Sequence, residues 1–134
     1  SGDPTMATKN ATIGAKSSAS ALRVTWLAMA NGDSGISPSN APGLGWVSLP
    51  AYPDRTIQFT GTFGAGGTVI LEGSNDGGTT WATLTDPLGN ALSFTSAGMK
   101  QITELPELVR PRVTAGDGTT SINAYLFCRG EAGC

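Results

Sequence analysis

The chain has no histidine among its 134 residues. That removes the commonest general base, the commonest transition-metal ligand and every Ser/His or Cys/His nucleophile pair. Charge is scarce: 13% of residues are charged, against about 25% in typical globular domains, and the net charge is −2. So weak a field excludes broad electrostatic attraction to nucleic acid or to an anionic membrane. No apolar run approaches the ~20 residues of a membrane-spanning helix. Cysteine is limited to Cys128 and Cys134; they read as two unpaired thiols, although a local disulfide is compatible with their spacing. No helix is strongly signalled and no repeat is visible. No cofactor or metal is implied. Asp33, Asp54, Asp76, Asp86 and Asp117 all fall in turn-like segments without the spacing of a calcium loop, so they read as turn-formers.

What is present is glycine (19 residues) with abundant serine and threonine, a mix suited to strands and turns. The length fits one domain. Met6 reads as a natural start and residues 1–5 as an appended remnant. Ala-Thr-Lys-Asn after it lacks the apolar core of a signal peptide, so synthesis in a cytoplasm without standard export is expected. Residues 6–50 read as an irregular arm and long loop carrying one strand, in which Leu22, Val24, Trp26 and Ala28 alternate with Arg23 and Thr25. Trp46–Pro50 reads as a short extended segment.

Residues 51–134 read as the body. Ile57, Phe59, Gly61 and Phe63 alternate with Thr56, Gln58, Thr60 and Thr62. Further strands are predicted at 68–72, 80–84, 91–95, 100–105, 108–114 and 121–129. Pro111 lacks an N–H and places its strand at a sheet edge or at a bulge. In the last strand Ile122, Ala124, Leu126 and Cys128 share a face. Seven to nine strands with closely spaced turns predict an all-β fold: a single antiparallel β-sandwich or jelly-roll domain with an irregular N-terminal arm.

Ser74-Asn75-Asp76-Gly77-Gly78-Thr79-Thr80-Trp81 fits the Asp-box pattern Ser-x-Asp-x-Gly-x-Thr-Trp. Its spacing assigns Ser74, Asp76 and Gly78 to a tight structural hairpin, with Trp81 filling core beneath it. Arg110 and Arg112 are two apart, so they share one strand face and could grip a carboxylate or phosphate; the plainer reading is a surface pair neutralised by Glu104 or Glu107. Glu104 and Glu107 lie too close across Pro106 to read as a glycosidase pair. Trp26 and Trp46 lie outside the regular body, where aromatics stack on sugars, anchor a partner or cap the sandwich ends.

From Arg55 to Arg129 the chain resembles the small decoration, or cement, proteins of tailed-bacteriophage capsids. The resemblance lies in Arg55–Phe63, Val69–Gly77, Asp86-Pro87-Leu88-Gly89-Asn90 and Leu108–Gly118. It implies a non-enzymatic virion protein on the capsid exterior, made in the bacterial host cytoplasm. Such a protein would be a homotrimer bound to the major capsid protein, stabilising capsomer contacts without catalytic residues. Residues 7–50 would then form a clamp with Leu22, Trp26, Leu27, Leu44 and Trp46 as apolar anchors, and Arg110 and Arg112 as further contacts. A second resemblance, through Gly73–Gly77, Trp81 and Val109-Arg110, is to discoidin-like binding sandwiches. It implies the alternative of a carbohydrate- or receptor-binding module, with Trp26 and Trp46 the expected glycan contacts. A tail structural component is a further alternative.

Overall fold

The structure, a computed structural model, describes residues 8–10, 12–13, 21–36, 47–48 and 54–129. All regular elements among these are strands: β1 (Thr8–Asn10), β2 (Thr12–Ile13), β3 (Ala21–Met29), β4 (Ser34–Ile36), β5 (Val47–Ser48), β6 (Asp54–Thr62), β7 (Thr68–Ser74), β8 (Ala82–Thr83), β9 (Ser93–Phe94), β10 (Gly98–Gln101), β11 (Leu108–Ala115) and β12 (Ser121–Arg129). The smaller sheet runs β10-β6-β12-β3-β2; the larger runs β1-β4-β11-β7-β8, with β5 also on β11 and β9 also on β7. Every pairing is antiparallel except β1 with β4. The two sheets pack face to face as a β-sandwich.

Period-two alternation builds the core. β12 buries Ile122, Ala124, Leu126 and Cys128 completely while Ser121, Phe127 and Arg129 point out. Each such Ile or Leu contributes about 1.5–3 kcal/mol by leaving water. Ile57 and Phe59 of β6, Val69 and Leu71 of β7, and Val109 and Val113 of β11 meet them, and Phe59 packs edge-on against Phe94 at 4.8 Å. At one end of the sandwich Cys128 is paired with Arg55, and burial pushes its thiol up to about 12, which leaves it protonated and unreactive at neutral pH. Cys134 lies outside the described residues.

The expected boundary at residue 50 does not follow the packing. β3 pairs with β12 along nearly its whole length, and its Val24, Trp26 and Met29 are fully buried. Thr8–Asn10 pair with β4 and Thr12–Ile13 with β3, so residues 8–10 border one sheet and residues 12–13 the other. The Trp26 indole reaches β4, where a Cβ on Gly35 would lie 2.6 Å from its Nε1 and 2.7 Å from Pro111 Cδ. Only glycine allows that approach.

The edge expected at Pro111 is instead a gap. β11 is an inner strand, flanked by β7 on one side and by the short β5 and β4 on the other. The Val113 N–H donates to the Asp33 carbonyl, at 2.9 Å, on that second side. Amide direction alternates along a strand, so the missing N–H of Pro111 falls on the same side, between the stretches paired with β5 and β4. The strand's register shift comes later, between Val113 and Ala115. Of the segment predicted at 100–105 only Lys100 and Gln101 are strand, as the end of β10, which starts earlier at Gly98; those at 80–84 and 91–95 shrink to two residues each.

Candidate functional site

The outer face of the larger sheet gathers the charged residues picked out by spacing. β11 sets Arg110 directly opposite Glu72 of β7, with Arg112 one step along on the same face. The Glu72 carboxylate accepts from Arg110 Nε at 2.9 Å and from Arg112 Nε and Nη2 at 3.1 and 3.0 Å. Glu72 is almost fully buried, whereas the Arg112 side chain is 38% exposed. Two cations on one anion leave a single positive charge, carried outward by Arg112. The plainer reading of the pair therefore holds with a different partner: Glu104 and Glu107 are occupied elsewhere.

Trp81 also belongs to this face, and the expectation that it fills core is corrected. Its ring lies over the Arg110 guanidinium at 4.1 Å, and its Nε1–H donates to the Gly78 carbonyl at 3.0 Å. In the pleat, Thr83 is opposite Glu72, so Trp81, two residues before Thr83, shares the outward side. The core side is taken by Leu84.

The hairpin that presents Trp81 is built as its spacing predicts. Asp76 Oδ1 accepts from the Thr79 and Thr80 N–H groups at 3.1 and 2.9 Å and from the Ser74 hydroxyl at 2.8 Å. The Gly78 N–H donates to Ser74 Oγ at 3.0 Å, and Gly77 takes a positive φ of 76°. The Thr80 amide, then the Ser74 hydroxyl, hold the Asp76 carboxyl down at about 2. So acidic a group is a poor base at neutral pH, and the Ser74–Asp76 bond locks the turn. Asn75 Oδ1 accepts from the Glu107 N–H at 2.8 Å and Glu107 Oε1 from the Gly77 N–H at 3.2 Å, fastening the turn to the start of β11.

Similar chemistry recurs at the other turns. Asp86 takes the Leu88 and Asn90 amides at 2.9 Å each. Asp117 takes the Thr119 amide at 2.8 Å and that of Ala65 at 2.9 Å, and its carboxyl is also held at about 2, the Thr119 hydroxyl being the largest cause. Asp33 accepts from the Ala30 N–H at 2.9 Å. Asp54 is the exception among the five: it opens β6.

Beside the hairpin a cleft of about 530 Å³ opens between residues 80–84 and 104–106. Pro106 and Leu84 close its floor over Gly73, where a Cβ would lie 2.5 Å from Pro106 Cγ and 2.8 Å from Leu84 Cδ2. Leu105, 54% exposed, and Trp81 contribute apolar wall. Glu104 is fixed at the rim: the Thr85 N–H donates to its Oε1 at 2.7 Å and the Thr85 hydroxyl to its Oε2. Burial would raise the Glu104 carboxyl, but these Thr85 bonds outweigh it and lower it.

The residues expected to anchor a partner are dispersed. Trp26 is in the core and is not presented to a partner or a glycan. Leu27 is 53% exposed, beside a bulge in which Ala28 takes a φ of 54° and donates its N–H to Asn123 Oδ1 at 3.0 Å. Leu22 is described by its backbone only, in β3; Leu44 and Trp46 lie outside the described residues. The sequence reading missed Leu88, Met99, Leu105 and Phe127, all exposed. Phe127 was legible: it alternates with Leu126 and Cys128, so it points outward. It borders a recess of about 250 Å³ with Asp54, Gln101 and Arg129.

Among the described residues no group of three or more His, Cys, Asp or Glu could hold a metal ion, and no helix is long and apolar enough to cross a membrane. Comparison with family models, with curated proteins and with solved structures finds no match.

Proposed function

We propose that this chain is a structural protein of a tailed-bacteriophage virion, a decoration or cement subunit that binds the major capsid protein on the capsid exterior, as a homotrimer, and stabilises capsomer contacts. The observation that supports this most is the contrast between its carboxylates and its exposed apolar side chains. Asp33, Glu72, Asp76, Asp86, Glu104, Glu107 and Asp117 each hold a backbone amide or an arginine in place. Meanwhile Leu27, Met99 and Phe127 stand exposed on the outward side of the smaller sheet.

Register makes that side a continuous surface. Met99 of β10 lies opposite Gln58, Gln58 opposite Tyr125, and Tyr125 opposite Thr25; the next row runs Gln101, Thr56, Phe127 and Arg23. A face of hydroxyl, amide and apolar groups, with Arg23 at the end of one row, suits a standing contact with another protein. The segments carrying the cement-protein resemblance supply β6, β7, β11 and the pinned turns, the parts that make the body rigid.

The test is to measure the solution mass by light scattering and then add the protein to expanded capsids lacking it. A trimer that saturates the capsids and raises their melting temperature is expected, with Phe127→Asp lowering occupancy while its own fold persists. A monomer that ignores capsids overturns the assignment.

A further inference from the structure

The outward side of the smaller sheet ends in a charged corner that strand register defines. Phe127 of β12 lies opposite Thr56 on one side and Arg23 on the other, and Gln101 extends that row. Two residues on, Arg129 lies opposite Asp54. Period two puts Arg129 on the same side as Phe127, as a diagonal neighbour of Arg23 about 7–8 Å away. Arg23, Asp54, Phe127 and Arg129 are all exposed. Among the described residues neither Arg23 nor Arg129 is paired with a carboxylate. Asp54 is the one acidic residue in the five strands of this sheet. The larger sheet treats its two arginines differently: Arg110 and Arg112 share the Glu72 carboxylate. No acid of the smaller sheet stands between Arg23 and Arg129.

We propose that this corner takes an acidic segment of the major capsid protein, an Asp or Glu side chain against Arg23 and Arg129 with an apolar neighbour on Phe127. The inference rests on the capsid reading and names the chemistry of the surface that this face meets. Guanidinium groups hold carboxylates through paired N–H donors, and arginine beside an aromatic ring is the composition of interface centres. The recess of about 250 Å³ bordered by Asp54, Gln101, Phe127 and Arg129 gives one side chain room to enter. A second copy of this chain is a poorer complement. Asp33, Glu72, Asp76, Asp86, Glu104, Glu107 and Asp117 already hold amides or arginines. The remaining described carboxylate, Asp54, belongs to the corner itself. A polyanion is a poorer one too, because a chain of net charge −2 repels it at long range.

The test is to titrate expanded capsids lacking the protein with the full chain, at NaCl from about 50 to about 500 mM, where screening removes exposed charge pairs. The apparent affinity should fall several-fold across that range. Arg23→Gln and Arg129→Gln should each weaken binding at low salt by up to about fivefold, the size of an exposed ion pair. The double variant should bind with little salt dependence, and the double Arg→Lys variant should keep the dependence. Asp54→Asn removes the competing carboxylate and should tighten binding about twofold. All three positions are exposed, so melting temperatures should stay at the parent value. Three results would overturn the inference. Capsid binding indifferent to salt and to both arginine variants removes it and leaves the capsid reading standing. Variants that change the solution mass of the free protein instead of its capsid affinity assign the corner to a second copy. Absence of capsid binding at every salt concentration removes the inference and the capsid reading together.

Discussion

Gly35 and Gly118 separate two uses of glycine. A Cβ at Gly35 would strike Trp26 and Pro111, both held in the interior, while one at Gly118 would meet nothing within 4 Å. Gly35→Ala is therefore expected to destabilise by about 1–3 kcal/mol, the range for overpacking a core. Gly118→Ala should stay within about 0.5 kcal/mol. Urea denaturation of the two variants checks the contrast. Asp76 and Asp117 set a second expectation at this scale. Their folded carboxyls sit at about 2, below an ordinary value of 3.8. A depressed folded value means that the ionised form is favoured by folding. Their contribution is thus fully present above about pH 4 and is lost as pH falls through about 2. The melting temperature should drop across that window, and the double substitution Asp76→Asn, Asp117→Asn should flatten the drop.

At the scale of the element, β7 and β11 act together through Glu72. Removing its charge leaves Arg110 and Arg112 side by side without their shared anion. Breaking a fully buried pair costs about 3–5 kcal/mol, but Arg112 is partly screened by water. Glu72→Gln is therefore expected to cost about 1–3 kcal/mol, and adding Arg112→Gln should recover part of it. A double-mutant cycle by urea denaturation measures the coupling, and strict additivity of the two changes would show that Arg112 and Glu72 are not coupled in stability. The same strands explain how the hairpin is aimed. Stacking on Arg110 draws Trp81 toward the outer face, and the Glu107–Gly77 and Glu107–Asn75 bonds fix the turn's tilt relative to β11.

For the whole molecule, the sandwich separates its two outward faces. The smaller sheet presents Met99, Tyr125 and Phe127 on its outward side; the larger carries the arginine–glutamate triad, with the cleft beside its hairpin. If the proposed capsid contact is made by this face, Phe127→Asp is expected to reduce capsid occupancy while leaving the melting temperature of the isolated protein unchanged, because Phe127 is exposed; both assays on one preparation check it.

Alternation and turn chemistry, which act within about five residues, were legible without coordinates. The buried face of β12, the Asp76 hairpin and its bonds to Ser74, and the shared face of Arg110 and Arg112 all follow from period two and from the carboxylate's reach to nearby amides. The placement of residues across distant strands was not. Leu22–Ala28 alternates as a strand should, yet its irregular flanks say nothing of which ladder it joins, and only pairing with β12 brings Trp26 into the core. Glu72 lies 38 and 40 residues from the arginines it neutralises. The cleft is assembled from residues 80–84, which pattern reading assigned to one strand, and 104–106, which it assigned to the end of another and the turn at Pro106. Local sequence determines which way a side chain points from its own strand; register and packing between strands determine what it meets there.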